Sequence, residues 1–153
     1  MTTRVPIRIV KISGGEGGLH LHARLLVNGK TANVVIDTGA SRTVFDKERI
    51  EKFIRPDSMT KNNHFSSGLG TNSMESFSVK LRSVRLGKMK VEQYDLHLLD
   101  LSHVNSAYES AGLKTIDGVL GSDLLHHCNA VIDYEKREMR LKYKAAAKKA
   151  RKK

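Results

Sequence analysis

The stretch "VVIDTGAS", residues 34–41, ends three apolar β-forming residues at a carboxylate and follows it with small residues and hydroxyls. Successive Val and Ile residues predict a strand that is buried on both faces. Gly39 then predicts a tight turn, because glycine leaves the neighbouring backbone amides accessible. The carboxylate of Asp37 can accept hydrogen bonds from such amides. The pattern therefore predicts either a polar turn that ends a strand or a positioned acid with a chemical role.

The sequence before Asp37 predicts two more strands. Residues 19–37, "LHLHARLLVNGKTANVVID", predict a β-hairpin, because Asn28-Gly29 between two apolar runs is typical of a two-residue hairpin turn. Residues 5–12, "VPIRIVKI", alternate apolar and polar residues and predict one half-buried strand. The glycine-rich residues 13–18 predict a turn between that strand and the hairpin.

The middle of the chain also reads mainly as strands. Residues 46–54 predict a short helical or turn segment that places three apolar side chains on one face. Residues 62–87 predict two strands joined by a glycine-tipped turn over residues 67–71, "SGLGT". Residues 91–101, "VEQYDLHLLDL", predict a further strand.

The last third adds one helix and a closing hairpin. Residues 102–115 predict a loop with at most one helical turn, and residues 116–121, "IDGVLG", predict a short buried strand. Residues 122–128, "SDLLHHC", predict a helix with Ser122 as N-cap and an acid in the first turn. Residues 130–143 predict a hairpin. The predicted fold class is therefore all-β with one or two short helices.

Length and composition limit the possible classes of protein. A chain of 153 residues forms one ordinary domain with a single core. One cysteine excludes an internal disulfide and argues against a cysteine-based zinc site. No apolar run approaches the ~20 residues that span a bilayer, and the N-terminal residues do not resemble a signal peptide. We therefore expect an intracellular protein, cytoplasmic in a bacterium, without a membrane partner.

The net charge of +11 is concentrated at the C-terminal end. Residues 142–153, "KYKAAAKKARKK", carry seven positive charges and no negative ones, which leaves four net positive charges on the rest of the chain. Such charge blocks are usually solvated, although a salt-sensitive contact with nucleic acid or an acidic partner is an alternative. No aromatic residues are spaced along this segment for base stacking, so we expect no specific nucleic-acid recognition.

The histidines and the cysteine do not predict a metal site. His20 and His22 alternate with leucines and share one strand face, but no third ligand accompanies them, and a solvated sheet face is the expected environment. Cys128 is expected to pack in the core. No metal or cofactor is therefore predicted.

Three features in order resemble the retropepsin-like aspartic proteases, the family of retroviral proteases and their cellular relatives. They are "VVIDTGAS", the glycine-tipped hairpin, and "GVLGSDLL" at residues 118–125. The resemblance runs from about Leu19 to about Leu141. It implies a closed acid-protease barrel with one half-site per chain. Residues 1–143 would form this domain and residues 144–153 a basic Lys/Ala-rich tail.

The same resemblance implies roles for individual residues. Asp37 would be the catalytic acid, the Thr38 hydroxyl would brace the same loop of the opposite subunit, and Gly39 would give its backbone to the substrate. The active-site turn and its supporting strand would comprise Thr38, Gly39, Ala40, Ser41, Val119, Leu120 and Gly121. The tip of a substrate-binding flap would comprise Gly68, Leu69 and Gly70. Pocket walls would come from Val35, Val119 and Leu120, which favours apolar residues beside the scissile bond.

The activity implied by this resemblance needs two carboxylates that share one proton, because two like charges ~3 Å apart cannot both ionise. The chain has one Asp-Thr-Gly motif, and Asp117 lacks the Thr-Gly sequel. The resemblance therefore implies an aspartic endopeptidase that hydrolyses extended polypeptides as a homodimer, with Asp37 of each subunit activating one water.

Two departures from the family pattern leave a second function open. Retroviral members carry a carboxylate–arginine pair where this chain has Ser41 and Ser122, with Asp123 or Arg42 as candidate substitutes. The C-terminus also lacks their dimer-forming strand, so part of the interface would come from elsewhere, such as residues 5–9. The alternative is a catalytically silent retropepsin-fold binding or assembly module, with the basic tail on an acidic partner.

Overall fold

The computed structural model describes residues 1–12, 18–55, 59–61 and 77–145, and strands dominate them. The strands are β1 Thr2–Pro6, β2 Arg8–Lys11, β3 Leu19–Val27, β4 Lys30–Ile36, β5 Val44–Asp46, β6 Met59–Lys61, β7 Phe77–Leu86, β8 Met89–Leu99, β9 Gly118–Leu120, β10 Val131–Asp133 and β11 Glu138–Lys142. The helices are α1 Ser102–Ser110 and α2 Ser122–His127, with one 3-10 turn at Arg49–Lys52. The all-β prediction with short helices is confirmed.

Six strands close into a barrel in the order β3-β4-β9-β5-β8-β7. Closure occurs where β7 pairs back onto β3, with Leu26 opposite Arg85 and Val27 opposite Val84. Strand β2 extends the sheet beside β3, and β6 extends it beside β7. Closure pairs the strand edges within the barrel and leaves its interior for apolar side chains.

The barrel interior is filled by alternate side chains of its strands, as the pleat requires. Fully buried residues of this core include Leu25, Val27, Ala32, Val34, Phe45, Leu81, Leu86, Leu96, Leu98 and Leu120. The core excludes water from the strands that lead to and from Asp37, and so gives the site a rigid base.

A second sheet of three strands has the order β1-β11-β10. Met139 at its centre pairs with Val5 on one side and Ile132 on the other. This sheet joins both ends of the described chain, where the Tyr143 amide donates to the Met1 carbonyl at 2.9 Å. The outer edge of β10 pairs with no strand in the described part of the chain.

The single strand predicted for residues 5–12 is wrong, because the chain forms two strands there. β1 pairs with β11 in the three-stranded sheet, whereas β2 pairs with β3 on the barrel. Ile7 separates them and donates its amide to the Arg137 carbonyl at 2.9 Å. Pro6, which cannot donate to a ladder, ends β1. β1 buries alternate residues, whereas the adjacent Ile9 and Val10 of β2 are both half-buried, so the alternation continues only as far as the break.

The loop predicted for residues 102–115 is also wrong over its first part, because α1 occupies Ser102–Ser110. Its buried residues include a polar one, Asn105, whose side chain donates to the Ile116 carbonyl at 3.0 Å and accepts from the Ile116 amide at 2.8 Å. These tertiary bonds hold the helix against the segment that leads into β9. The polar composition of α1 conceals a helix that such contacts stabilise.

The other predicted elements are confirmed where they fall on described residues. The hairpin β3–β4 turns at Asn28 and Gly29 with φ of 50° and 82°, as a two-residue turn of this type requires. Hairpin β10–β11 also forms, and β7 occupies the second strand predicted within residues 62–87, whose first strand lies outside the described residues. Strands β5 and β6 were not predicted. The predicted turn over 67–71 and residues 13–17 lie outside the described residues, as do residues 146–153. The boundary between the domain and its tail therefore stays a prediction.

Candidate active site

Asp37 lies directly after β4, at the end of the barrel. Its amide donates to the Leu120 carbonyl at 3.0 Å, and its own carbonyl accepts from the Ala40 amide at 3.2 Å. The side chain is exposed, and Oδ1 accepts from the Gly39 amide at 2.9 Å. The carboxylate is thus held in one orientation by its own turn while it faces outward.

The turn that carries Asp37 crosses over the end of β9. Strand β9 runs parallel to β4 and antiparallel to β5, and so lies between the two strands that this turn connects. Two glycines allow that close approach. A Cβ on Gly118 would lie 2.2 Å from the Phe45 ring, and one on Gly121 would lie 2.5 Å from the Arg42 backbone. The glycines of "GVLG" are therefore required by steric contact with the chain that follows the turn.

Ser122 holds the turn from the helix side. Its amide donates to the Ala40 carbonyl at 2.7 Å, and its hydroxyl donates to the Thr38 carbonyl at 2.7 Å. The prediction that Ser122 caps α2 is wrong, because the N-cap is Gly121 and makes no side-chain cap bond. The hydroxyl is directed instead to the turn, which lies within reach only in the folded chain.

Asp123 ties α2 to the strand that leaves the turn. Its Oδ1 accepts from the Thr43 amide at 2.9 Å and the Thr43 hydroxyl at 2.8 Å, and the Gly121 amide donates to the Thr43 hydroxyl at 3.0 Å. Tyr94 donates its hydroxyl to Oδ2 of the same carboxylate. Burial, followed by this hydrogen bond, raises the pKa of Tyr94 far above its usual range. Tyr94 therefore remains a donor at every physiological pH.

Of the two candidates for the missing ion pair, Asp123 occupies the place between helix and turn. Arg42 points elsewhere, with Nη1 2.6 Å from Nε2 of His97. Ser41 is exposed. The link between turn and helix is thus made by hydrogen bonds that Ser122 donates and Asp123 accepts.

A cavity of about 430 Å³ opens beside Asp37. Its walls include Asp37, Thr38, Val35, Val119, His20 and Tyr108. Two of the three predicted wall residues, Val35 and Val119, line it. The third, Leu120, is fully buried in the core, so that part of the prediction is wrong. Among the described residues of the wall, Asp37 is the one carboxylate.

The predicted site residues that the structure describes are brought together. Thr38 and Gly39 are exposed beside Asp37, Ala40 is half-buried behind them, and β9 passes beneath. The predicted flap residues Gly68, Leu69 and Gly70 lie outside the described residues.

Comparison with known proteins agrees with this geometry. The family model described as "Aspartyl protease" matches residues 23–124, two thirds of the chain, and so includes both the Asp37 turn and β9. The chain belongs to the aspartyl protease family. No curated protein matches the chain.

Two solved structures show the fold of this aspartyl protease family member. One is a retropepsin-like aspartic protease from Rickettsia conorii, with a TM-score of 0.55, 21% identity and 94% of each chain covered. The other is the retroviral protease-like domain of Ddi1 from Leishmania major, with a TM-score of 0.56, 14% identity, and 82% of this chain and 94% of that chain covered. The fold is retropepsin-like, as the sequence motifs predicted.

The expectation that both histidines lie on a solvated sheet face is wrong for His22, which is buried, whereas His20 is half-buried. His22 is 2% exposed, and both histidines contact the Tyr108 hydroxyl, His20 through Nδ1 at 2.5 Å and His22 through Nε2 at 3.1 Å. Burial, and then the positive charge of Arg8, lower the pKa of His22 to about 4. In the part of the chain that is described, no three His, Cys, Asp or Glu side chains are grouped to hold a metal ion.

Cys128 is buried, as expected, and donates its thiol to the Leu124 carbonyl at 3.0 Å. Burial raises the pKa of this thiol, which keeps it protonated and unreactive. Neither described helix is long and apolar enough to cross a membrane.

Sequence reasoning missed three residues near the site. Thr43 carried no signal, because its role depends on Asp123 of a distant helix. His20 and Tyr108 line the cavity, yet only the alternation of His20 was visible in the sequence. A helical interpretation of residues 101–108 would have placed Val104 and Tyr108 on one face, four residues apart.

Proposed function

We propose that this protein is an aspartic endopeptidase that acts as a homodimer. Membership in the aspartyl protease family supports hydrolytic activity. The observation that carries the proposal is the state of Asp37, whose carboxylate is exposed at a cavity while the Gly39 amide holds it at 2.9 Å. The amide bond alone does not distinguish Asp37, because Asp100 Oδ1 accepts from the Ser102 amide at 2.9 Å in the same way. Asp37 differs in that it lines a cavity and stands in the Asp-Thr-Gly turn.

The need for two subunits follows from the count of carboxylates. Water activation by aspartic chemistry uses one carboxylate as base and a second, protonated one as acid. Asp37 is the one carboxylate among the described residues that line its cavity. A second Asp37, brought across a two-fold axis, supplies the missing acid, because a two-fold operation places identical residues opposite one another.

In this dimer the two Asp37 side chains share one proton and hold a water between them. The ionised carboxylate takes a proton from that water as its oxygen attacks the peptide carbonyl carbon. The protonated carboxyl gives its proton to the carbonyl oxygen, which yields a neutral gem-diol. The first carboxyl, now protonated, gives this proton to the amide nitrogen, while the second carboxylate takes a proton from one gem-diol hydroxyl. The C–N bond breaks, an acid and an amine are released, and the pair again shares one proton. The Gly39 amide and the Ser122 bonds keep the carboxylates oriented throughout.

The proposed interface is the face that contains the cavity and β10. Large apolar residues are exposed there: Leu19 and Tyr134 are 59% and 60% exposed and line the cavity rim, and Val131 on β10 is 46% exposed. The outer edge of β10 is unpaired among the described strands, and antiparallel addition of a second β10 would pair it. By contrast, Val5 and Ile7 are already buried in their own subunit, so β1 would offer only its backbone edge.

The proposed substrate is an extended polypeptide. Val35 and Val119 give the cavity beside Asp37 an apolar wall, which favours apolar groups next to the scissile bond. Main-chain hydrogen bonds of the strand type would bind the peptide with little dependence on sequence.

The test compares cleavage of a denatured protein mixture by the wild type and by Asp37→Asn. Asn keeps an oxygen for the Gly39 amide, so the variant is expected to fold normally and to lose cleavage. Asp95→Asn is the matched control, because Asp95 is an exposed acid on β8 that does not line the cavity. Equal cleavage by wild type and Asp37→Asn, or none by either, would remove the enzyme proposal and leave the silent binding module.

A mixing experiment tests the dimer. Wild type and Asp37→Asn are mixed in equal amounts and equilibrated, and the activity is compared with that of the same total amount of wild type. It should be about one quarter if each site needs two wild-type subunits, and about one half if subunits act singly. Sedimentation of the wild type should show a dimer in the concentration range where activity appears. A strictly monomeric active protein would contradict the two-subunit site.

A further inference from the structure

A chain of five polar side chains runs from the barrel surface to the cavity beside Asp37. Arg8 Nη2 donates to Asn33 Oδ1 at 2.5 Å, and Asn33 Nδ2 lies 3.5 Å from His22 Nδ1. His22 Nε2 lies 3.1 Å from the Tyr108 hydroxyl, which lies 2.5 Å from His20 Nδ1. The chain therefore connects a permanent cation, Arg8, with a histidine on the cavity wall.

The direction of the first hydrogen bonds is set by Asn33. Its Oδ1 accepts from Arg8, so its Nδ2 donates, first to the Thr115 carbonyl at 3.0 Å and then toward His22 Nδ1. His22 is neutral near pH 7, because its burial lowers its pKa to about 4. A neutral imidazole carries one N–H. Since Nδ1 faces an amide donor, that hydrogen is on Nε2 and is donated to Tyr108.

The same reasoning assigns the hydrogen positions on Tyr108 and His20, the last two residues of the chain of polar side chains. Burial raises the pKa of Tyr108, so the phenol keeps its hydrogen. Its oxygen accepts from His22 Nε2, and its single O–H is then donated to His20 Nδ1. His20 Nδ1 is therefore an acceptor. The N–H of a neutral His20 lies on Nε2.

His20 Nε2 has no hydrogen-bond partner among the described residues, and His20 lines the cavity that Asp37 also lines. We propose that His20 Nε2–H selects substrates with a side-chain oxygen acceptor near the scissile bond, as in glutamate or glutamine. This inference rests on the proposed function and names the substrate class of the same site.

Glutamate and glutamine fit the chemistry of this wall. Their methylene groups match the apolar surface of Val35, Val104 and Val119, and their terminal oxygen can accept from His20. A leucine or methionine fills similar space but leaves the His20 donor unpaired when water is excluded, which a buried polar group tolerates poorly. The hydrogen bonds behind His20 hold its ring in one tautomer, so the donor is present before the substrate arrives.

The test profiles cleavage sites in a peptide library by mass spectrometry. For the wild type, we expect glutamate or glutamine to exceed methionine and leucine at one position flanking the scissile bond. Among synthetic peptides that differ only at this position, the better of the Glu and Gln peptides should exceed the Met peptide about tenfold in kcat/KM. Comparison of the Glu peptide with the Gln peptide distinguishes carboxylate from amide recognition. His20→Phe keeps a ring and removes the donor, so the ratio of kcat/KM for the Glu or Gln peptide to kcat/KM for the Met peptide should fall to about one. His127→Phe, an exposed histidine of α2 outside the cavity, is the matched control.

A second measurement does not depend on activity. The ring nitrogens of His20, observed by ¹⁵N NMR in the free protein near neutral pH, should show the hydrogen on Nε2, and Tyr108→Phe should release that tautomer. A hydrogen on Nδ1 would overturn the inference even if the protein is a protease. Cleavage by the wild type without the preference, or with one that His20→Phe retains, overturns it as well and leaves the protease proposal standing. No cleavage by the wild type would remove the proposed function, and the substrate assignment with it.

Discussion

Thr43 and Asp123 are joined by two hydrogen bonds to a single carboxylate oxygen, from the Thr43 amide at 2.9 Å and the Thr43 hydroxyl at 2.8 Å. One residue follows the Asp37 turn, and the other lies 80 positions later on α2. Their contact clamps the helix to the strand that leaves the turn. The geometry of Asp37 therefore depends on residues that do not touch the cavity.

Removal of this clamp is expected to destabilise the fold. Asp123→Ala leaves the Thr43 donors and the Tyr94 hydroxyl without their acceptor in a partly buried place, and should lower the free energy of unfolding by about 2–3 kcal/mol. Urea denaturation measures this free energy of unfolding. Asp95→Ala, an exposed acid on β8, should change it by no more than about 0.5 kcal/mol. Equal values for the two variants would show that the clamp contributes nothing to stability.

Gly121→Ala is expected to separate the turn from β9. The added Cβ would lie 2.5 Å from the Arg42 backbone, which cannot move aside as a side chain can, so we expect a loss of about 1–3 kcal/mol and reduced cleavage. Gly18→Ala is the matched control, because nothing lies within 4 Å of its added Cβ. A melting temperature for Gly121→Ala as high as that of Gly18→Ala would contradict the close crossing.

His22 is expected to make stability depend on pH. In the unfolded chain this histidine takes up a proton near its ordinary pKa of 6.5, whereas in the fold, where burial lowers its pKa, it does so only at about 4. The unfolded state therefore binds more protons between these values, and stability falls as the pH drops from 6.5 to 4, by roughly 3 kcal/mol in all.

Urea denaturation at several pH values measures this loss. His22→Gln should show a flatter profile between pH 6.5 and 4 than the wild type, whatever its absolute stability. His127→Gln, at an exposed position, should keep the wild-type slope. A wild-type slope retained in His22→Gln would assign the acid sensitivity to other groups.

A charge on the β10 edge is expected to weaken the proposed dimer. Val131→Lys places a cation on an exposed apolar position of the free edge, where two-fold symmetry would bring two such cations close together. We expect the dimer dissociation constant to rise at least about tenfold, with activity lost at low protein concentration and regained at high concentration. Sedimentation equilibrium measures the dimer dissociation constant, with Gln93→Lys on β8 as the control. An unchanged dissociation constant would place the interface elsewhere.

Local sequence rules predicted much of the fold because they describe local physics. The Asn28-Gly29 turn formed as predicted, since its positive φ angles are a property of those two residues. The strand before Asp37 formed because three β-branched residues in succession favour an extended backbone, with Val34 and Ile36 buried and Val35 half-buried on the cavity wall. Both preferences act within a few residues, and the structure contains both the predicted turn and the predicted strand.

The failures share a different cause. Residues 5–12 divide between two sheets, α1 forms over a polar segment, and Ser122 bonds a turn and not its own helix. In each case the deciding partner lies far along the chain, on β11, at Ile116 or at Thr38. A pattern of polarity records which residues are buried, but it does not record what they are buried against.

Taken alone, the order of residues determined five of the six barrel strands, with β5 the exception, and the single Asp-Thr-Gly turn on which the two-subunit proposal rests. Tertiary structure decided which groups hold that carboxylate and which share its cavity: Ser122 and Asp123 behind the turn, His20 and Tyr108 on the wall. The physical reason is the distance along the chain over which each interaction acts. Backbone preferences and burial act between near neighbours, whereas hydrogen-bond networks close only after the barrel has brought distant strands within about 3 Å.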